Sequence, residues 1–151
     1  MTPAAELDSF LVRLCLWREA RSESLAAKAA VLAVIRNRAN DPKNRWPKTL
    51  AGVVLQPSQF TSFSKGDPNS VAFPRPPKSG TSPDWQAWLD SCAVFDAPLT
   101  ASPVGESQFY VDVTADLARF AVSILGPGKT AADLEACKVA QIGRLIFFHV
   151  A

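Results

Sequence analysis

Between residues 4 and 21, apolar side chains recur at three- and four-residue steps at Leu7, Phe10, Leu11, Leu14 and Cys15. That is the period of an amphipathic helix, which Thr2 or Pro3 can start. After Ser22 and Ser24, residues 25–38 are Ala-rich and apolar on nearly every face until Arg36, Asn37 and Arg38. A helix of that kind is expected to run through the core. Pro42 and Pro47 then interrupt the pattern, and a short helix over residues 49–55 leads into Gln56, Pro57, Ser58, Gln59 and Phe60. Residues 61–84 are rich in Pro, Ser, Lys and Gly. A loop of such length within a domain is usually functional, and residues 66–82 are expected to form a mobile lip beside a cleft. Asp84 can cap a helix over residues 85–97, whereas residues 107–113 alternate enough for a strand. Short helices are expected at 114–125 and 130–140 around Gly126, Pro127 and Gly128, before an apolar end at 142–150. The predicted architecture is mainly α, with a short extended segment and a Pro-rich loop, in one domain of residues 1–151.

Composition narrows the chemistry. The chain has 151 residues, 48% of them hydrophobic, with a formal net charge of +2. No apolar run approaches the roughly 20 residues needed to cross a bilayer, so no membrane span is expected. Lysines and arginines are scattered, which argues against a nucleic-acid partner. Cys15, Cys92 and Cys137 lie far apart in apolar surroundings and read as reduced core thiols. With His149 as the sole histidine, the usual ligand set of a zinc site is missing, and neither a metal nor another cofactor is expected.

One carboxylate stands out. Glu19 follows Cys15 by four residues and Leu11 by eight, so it continues the apolar face of its helix. Burial disfavours the ionised form and raises a carboxylic acid's pKa, which would suit Glu19 to general-acid chemistry. The residues alone leave a second reading open, a structural salt bridge to Arg18, Arg21 or Arg36.

Five motifs in order tip that balance. Trp17, Arg18, Glu19, Ala20, Arg21, Ser22 and Glu23 are followed by an apolar helix ending in Asn37 and Arg38, then by Trp46 and Pro47. Next come Gly52, Val53, Val54, Leu55, Gln56 and Pro57, and then Gln59 and Phe60. This series resembles the SleB-like cell-wall hydrolase family, with its E-A-R-G-E, N-R, W-P, G-V-V-x-Q-P and Q-F motifs, over roughly residues 10–65. A weaker echo runs through Pro103, Val104 and Gly105, Phe109 and Tyr110, Ile142 and Gly143, and Phe147 and Phe148. The resemblance implies a lysozyme-like fold of the lytic-transglycosylase kind, Glu19 as catalytic acid, and peptidoglycan cut between N-acetylmuramic acid and N-acetylglucosamine. Two departures stand out: Ser22 replaces the motif's Gly, and histidines that many members carry in the later half are absent, with Gln108, Phe109, Tyr110 and Leu145 in those regions.

A glycosidase ordinarily uses two carboxyl groups, about 5 to 5.5 Å apart for retention and about 6.5 to 9.5 Å for inversion. Glu23 is the nearest second candidate, and Asp112 another. A lytic transglycosylase needs only one, because the substrate's own C6 hydroxyl closes a 1,6-anhydro ring. Gln59 and Ser62 offer amide and hydroxyl groups to N-acetyl and ring hydroxyl groups, Phe60 a face to a sugar ring, and Tyr110 a hydroxyl to Glu19 or substrate. Each also has a structural reading, core packing being the favoured one for Phe60. Trp17, Trp46, Trp85 and Trp88 read as core anchors, and Asn37 and Arg38 as ties for the loop that follows them. A thiol or serine hydrolase using His149 lacks a nucleophile motif, and a non-catalytic wall-binding or phage structural module is the other alternative. The expected partner is the glycan strand, bound by a monomer. The N-terminus lacks the pattern of a secretion signal, so delivery by phage, as for an endolysin, another export route or excision from a longer chain is expected.

Overall fold

The computed structural model describes residues 1–56, 59, 60, 63, 67, 68, 76, 77 and 83–151. Ser62 and most of the Pro-rich lip predicted over 66–82 lie outside the described residues. Helix α1 spans Pro3–Ala20, opened by the Thr2 hydroxyl accepting from the Ala5 amide and by Pro3 in its first turn. Helix α2, Leu25–Ala39, starts where the Ser24 hydroxyl accepts from the Ala27 amide. Helix α3, Leu50–Leu55, is capped by Thr49, and α4 spans Pro83–Asp96. Asp84 therefore sits inside the first turn of α4, where a carboxylate favours the helix N-terminus, and is not the residue preceding the helix as the sequence suggested.

The central helix is α2, as predicted: Ala27, Ala30, Val31, Leu32, Val34 and Ile35 are all buried. Helix α1 packs on α2, α3 and α4. Its apolar stripe differs from the predicted one. Leu7 and Phe10 are exposed, whereas residues 14–18 and Ala20 are buried, so the second half of α1 is enclosed by three helices while its first half projects.

The later half holds the main departure. Strand β1, Phe109–Asp112, lies within the predicted extended segment. Residues 130–140, expected to be helical, form only a short helix, with the second half of that span entering a strand. Helix α5, Leu117–Leu125, and helix α6, Ala131–Glu135, are followed by β2, Lys138–Ile142, and β3, Leu145–Phe148. The antiparallel sheet has the order β1-β3-β2. Strand β3 is buried on both faces: Leu145 and Phe147 join the helical core, while Ile146 and Phe148 pack with Ala121 and Leu134 of α5 and α6. A strand covered on both sides reads as a continuous apolar run, which pattern alone does not separate from buried helix. Of the three thiols, Cys15 is a core residue, while Cys92 and Cys137 are only half-buried.

Candidate active site

Glu19 stands in the last turn of α1, one residue before the helix ends, and is half-buried. The turn after it is held from below. Lys28, 1% exposed, donates its Nζ to the carbonyls of Arg21, at 3.3 Å, and Glu23. These carbonyls follow a helix C-terminus, where backbone acceptors lack helical partners and a cation is favoured. Arg21 pairs with Asp84 of α4 at 3.4 Å, and the Arg18 guanidinium lies 4.8 Å from the Phe63 ring centroid.

Across from Glu19 runs β1. Tyr110 sits between the rings of Phe60, 6.5 Å away, and Phe147, 5.7 Å away. Part of Tyr110 remains exposed, yet its surroundings are dense enough that burial raises the phenol's pKa well above the usual value; the charges of Glu19 and then Cys15 raise it further, against Arg38. The same influence of Glu19 is felt by the fully enclosed Cys15 thiol, whose pKa burial raises first. Glu19, Tyr110, Cys15 and Arg38 thus form one electrostatic neighbourhood.

Beside it opens a cavity of about 320 Å³, whose wall includes Arg38, Trp46, Gln59, Phe109, Tyr110 and Phe120. Gln59 and Tyr110, singled out from the sequence, are brought together here. Phe60, beside Tyr110, is only 3% exposed and belongs to the core, the reading favoured for it, so its ring is spent on packing and the alternative role as a sugar platform is corrected. Trp46, read as a core anchor, is half-buried on the cavity wall with its indole N–H donated to the Gln108 Oε1 at 3.2 Å.

Asn37 and Arg38 tie down a segment far along the chain, not the loop that follows them. The Asn37 amide donates to the Gly105 and Ser107 carbonyls at 3.0 and 2.8 Å, and Arg38 Nε to the Gln108 carbonyl at 2.7 Å. Gln108 accepts on Oε1 from Arg45 at 2.9 Å as well as from Trp46. Arg45 is fixed in turn by the buried Asp41, whose carboxylate takes its Nε at 2.9 Å and Nη2 at 3.2 Å. This network locks the end of α2, the 41–46 loop and the entry to β1, and so sets where Tyr110 stands. The N-R pair in the sequence was the signal for it.

Of the second carboxylates, Asp112 is committed elsewhere. Asp112 accepts from Thr114 and from Arg144, and these bonds hold its pKa down to about 2. Glu23 lies against Gly143 in the β2–β3 turn. A second cavity, of about 410 Å³, is bordered by Asp41, Arg45, Glu106, Gln108 and His149. Among the described residues, no cluster of His, Cys, Asp and Glu is arranged to hold a metal, and no helix is long and apolar enough to cross a membrane.

A mainly helical domain with a small antiparallel sheet has the lysozyme-like fold of lytic-transglycosylase domains. The chain belongs to the cell wall hydrolase family, whose model matches residues 22–148. Glu19 lies three residues ahead of that span; Glu23, Gln59 and Tyr110 lie within it. The catalytic domain of the germination-specific lytic transglycosylase SleB from Bacillus anthracis has the same fold, with a TM-score of 0.55, 21% identity, and 95% of each chain covered. The catalytic domain of the Bacillus cereus SleB protein gives a TM-score of 0.56 at 22% identity, over 95% of this chain and 91% of that one. The chain is also 36% identical to the spore cortex-lytic enzyme of Bacillus subtilis over 69 residues, which are 43% of this chain and 22% of that enzyme. The match thus spans less than a quarter of that relative's length.

Proposed function

We propose that the chain is a peptidoglycan glycosidase of the lytic-transglycosylase type, acting at the bacterial cell wall with Glu19 as its general acid and base. The carrying observation is that Glu19 acts electrostatically on Tyr110, which lines the cavity together with Arg38, while Asp112 is held by Thr114 and Arg144. Glu19 stands half-buried in the last turn of α1, within reach of solvent and so of a bound glycan. Glu19 gives its proton to the glycosidic oxygen as the bond to the muramic acid C1 breaks. The resulting carboxylate takes the proton of that sugar's C6 hydroxyl, whose oxygen bonds to C1. Glu19 ends protonated again, and no water is consumed.

Digestion of purified sacculi followed by mass spectrometry tests this. The expected muropeptides end in 1,6-anhydro-N-acetylmuramic acid and are lighter by one water than hydrolysed ones. Reducing ends alone would mean a hydrolytic muramidase with a second carboxylate. Glu19→Gln should lower lysis to below a few per cent of wild type with the fold intact. Retained lysis in that variant would move the chemistry off Glu19, and absence of lysis by the wild type would favour a non-catalytic wall-binding module.

A further inference from the structure

Arg38 is a buried cation with a vacancy in its hydrogen bonding. The residue is 4% exposed, and its guanidinium lies over the rings of Trp46, Phe60 and Phe109 at 4.3, 5.2 and 5.6 Å. Nε is satisfied by the Gln108 carbonyl, whereas Nη1 is enclosed without a hydrogen-bond partner. Among the described residues no carboxylate pairs with it; Asp41, the buried acid nearby in sequence, is taken by Arg45. Desolvation lowers its pKa to about 10, which still leaves it charged at neutral pH. Aromatic faces offset part of the cost of burying a cation, but an anionic oxygen would offset far more. Tying the Gln108 carbonyl needs only one of its five N–H groups.

The wall that Arg38 shares supplies the rest of a sugar site. Trp46, Phe109 and Tyr110 present rings, Gln59 presents an exposed amide, and the volume of about 320 Å³ is at the small end of the range for ligand cavities, suited to one substituted sugar. Of the substituents on a wall glycan, the lactyl group of muramic acid bears a carboxylate when no stem peptide is attached, and a neutral amide when one is. An unpaired guanidinium discriminates between the two, because a charge-assisted pair is about twice as strong as a neutral hydrogen bond.

We propose that this cavity is a subsite for a muramic acid residue with a free lactyl carboxylate, that Arg38 is its counter-ion, and that the enzyme favours glycan lacking a stem peptide at that position. This rests on the peptidoglycan reading above.

The test is made on the ligand. Titrations of the wild-type protein with N-acetylmuramic acid, its methyl ester, N-acetylglucosamine and acetate are followed by NMR at the Arg38 Nε–Hε resonance. The free acid should bind at least about tenfold more tightly than its ester or N-acetylglucosamine, and should shift that resonance. Arg38→Met should erase the preference for acid over ester; if that variant does not fold, the wild-type ratio decides alone. Equal binding of acid and ester, an unmoved Arg38 resonance, or acetate binding as tightly as N-acetylmuramic acid would each overturn the proposal. A protein that lyses sacculi through Glu19 but does not discriminate acid from ester refutes this subsite alone. One that cleaves neither intact sacculi nor glycan strands stripped of their stem peptides refutes the function on which it rests.

Discussion

Glu23 and Gly143 are in direct apposition: a Cβ at Gly143 would stand 2.8 Å from Glu23 Oε2. Gly143 also has a φ of 58°, in the left-handed region, as the first residue of the tight turn joining β2 to β3. The turn after the Glu19 helix is thereby seated on the sheet's hairpin, joining the halves of the site. Gly143→Ala is expected to cost about 1 to 3 kcal/mol, from backbone strain and from displacing the carboxylate. Urea denaturation would measure it; a loss under about 0.5 kcal/mol, the size of a neutral surface change, would mean that Glu23 yields freely.

Tyr110 should act as a neutral donor throughout the working pH range. Burial first, and the charge of Glu19 second, raise its pKa, so the phenol keeps its proton well into alkaline solution. Tyr110→Phe removes only the hydroxyl between the Phe60 and Phe147 rings. Wall lysis should fall about tenfold or more, as for a lost hydrogen bond to a charged group, while stability changes by about 1 kcal/mol or less. Unchanged lysis would confine Tyr110 to packing.

How much of this could be read from residues alone differs between the halves of the chain. The first three helices were legible because Thr2, Ser24 and Thr49 cap them and prolines separate them. Gln59 and Tyr110, singled out from the sequence as candidate binding residues, both line the cavity of about 320 Å³. The face of α1 was misjudged because three helices enclose its end, so periodicity there carries little contrast. Strands β2 and β3 were missed for a related reason: β3 is covered on both faces, and the preceding segment has real helix character in Ala131–Glu135. Arg38 was read as a tie, which it is through Gln108, but its place on the cavity wall depends on a contact 70 residues away that local pattern does not encode.

Acid should weaken the domain through Asp41 and Asp112. Hydrogen bonds from Arg45 hold the Asp41 carboxyl well below its ordinary range, and bonds from Thr114 and Arg144 hold Asp112 at about 2. Both folded-state values lie below the unfolded value of about 3.9, so their stabilisation is fully present above that pH and is lost as pH falls through the folded values. The thermal midpoint should therefore drop as pH is lowered from 5 toward 2, on the scale of about three pH units. Arg45→Met should flatten that slope by releasing Asp41. An identical slope in the variant would remove the Asp41–Arg45 pair from the acid response.

Lys28 offers a test of whether the turn below Glu19 is held for catalysis. Its ammonium is 1% exposed and bonded to the Arg21 and Glu23 carbonyls, so Lys28→Met leaves two acceptors without their donor. The expected cost is about 1 to 3 kcal/mol of stability, the penalty of unsatisfied buried polar groups. If the turn positions Glu19, kcat should fall more than KM changes, and Lys28→Arg should rescue in part by restoring a donor. A pH measurement adds a readout that packing alone would not move. Burial is the main cause lowering the Lys28 pKa, with Asp90 and Glu23 opposing it. The unfolded chain consequently holds this proton more tightly than the folded one, and stability through Lys28 rises with pH between its folded value and the unfolded value of about 10.4. The stability difference between wild type and Lys28→Met should therefore widen in favour of the wild type as pH rises across that window. A constant difference would mean that the ammonium is not desolvated as the structure has it, and a variant with unchanged kcat would separate Lys28 from the positioning of Glu19.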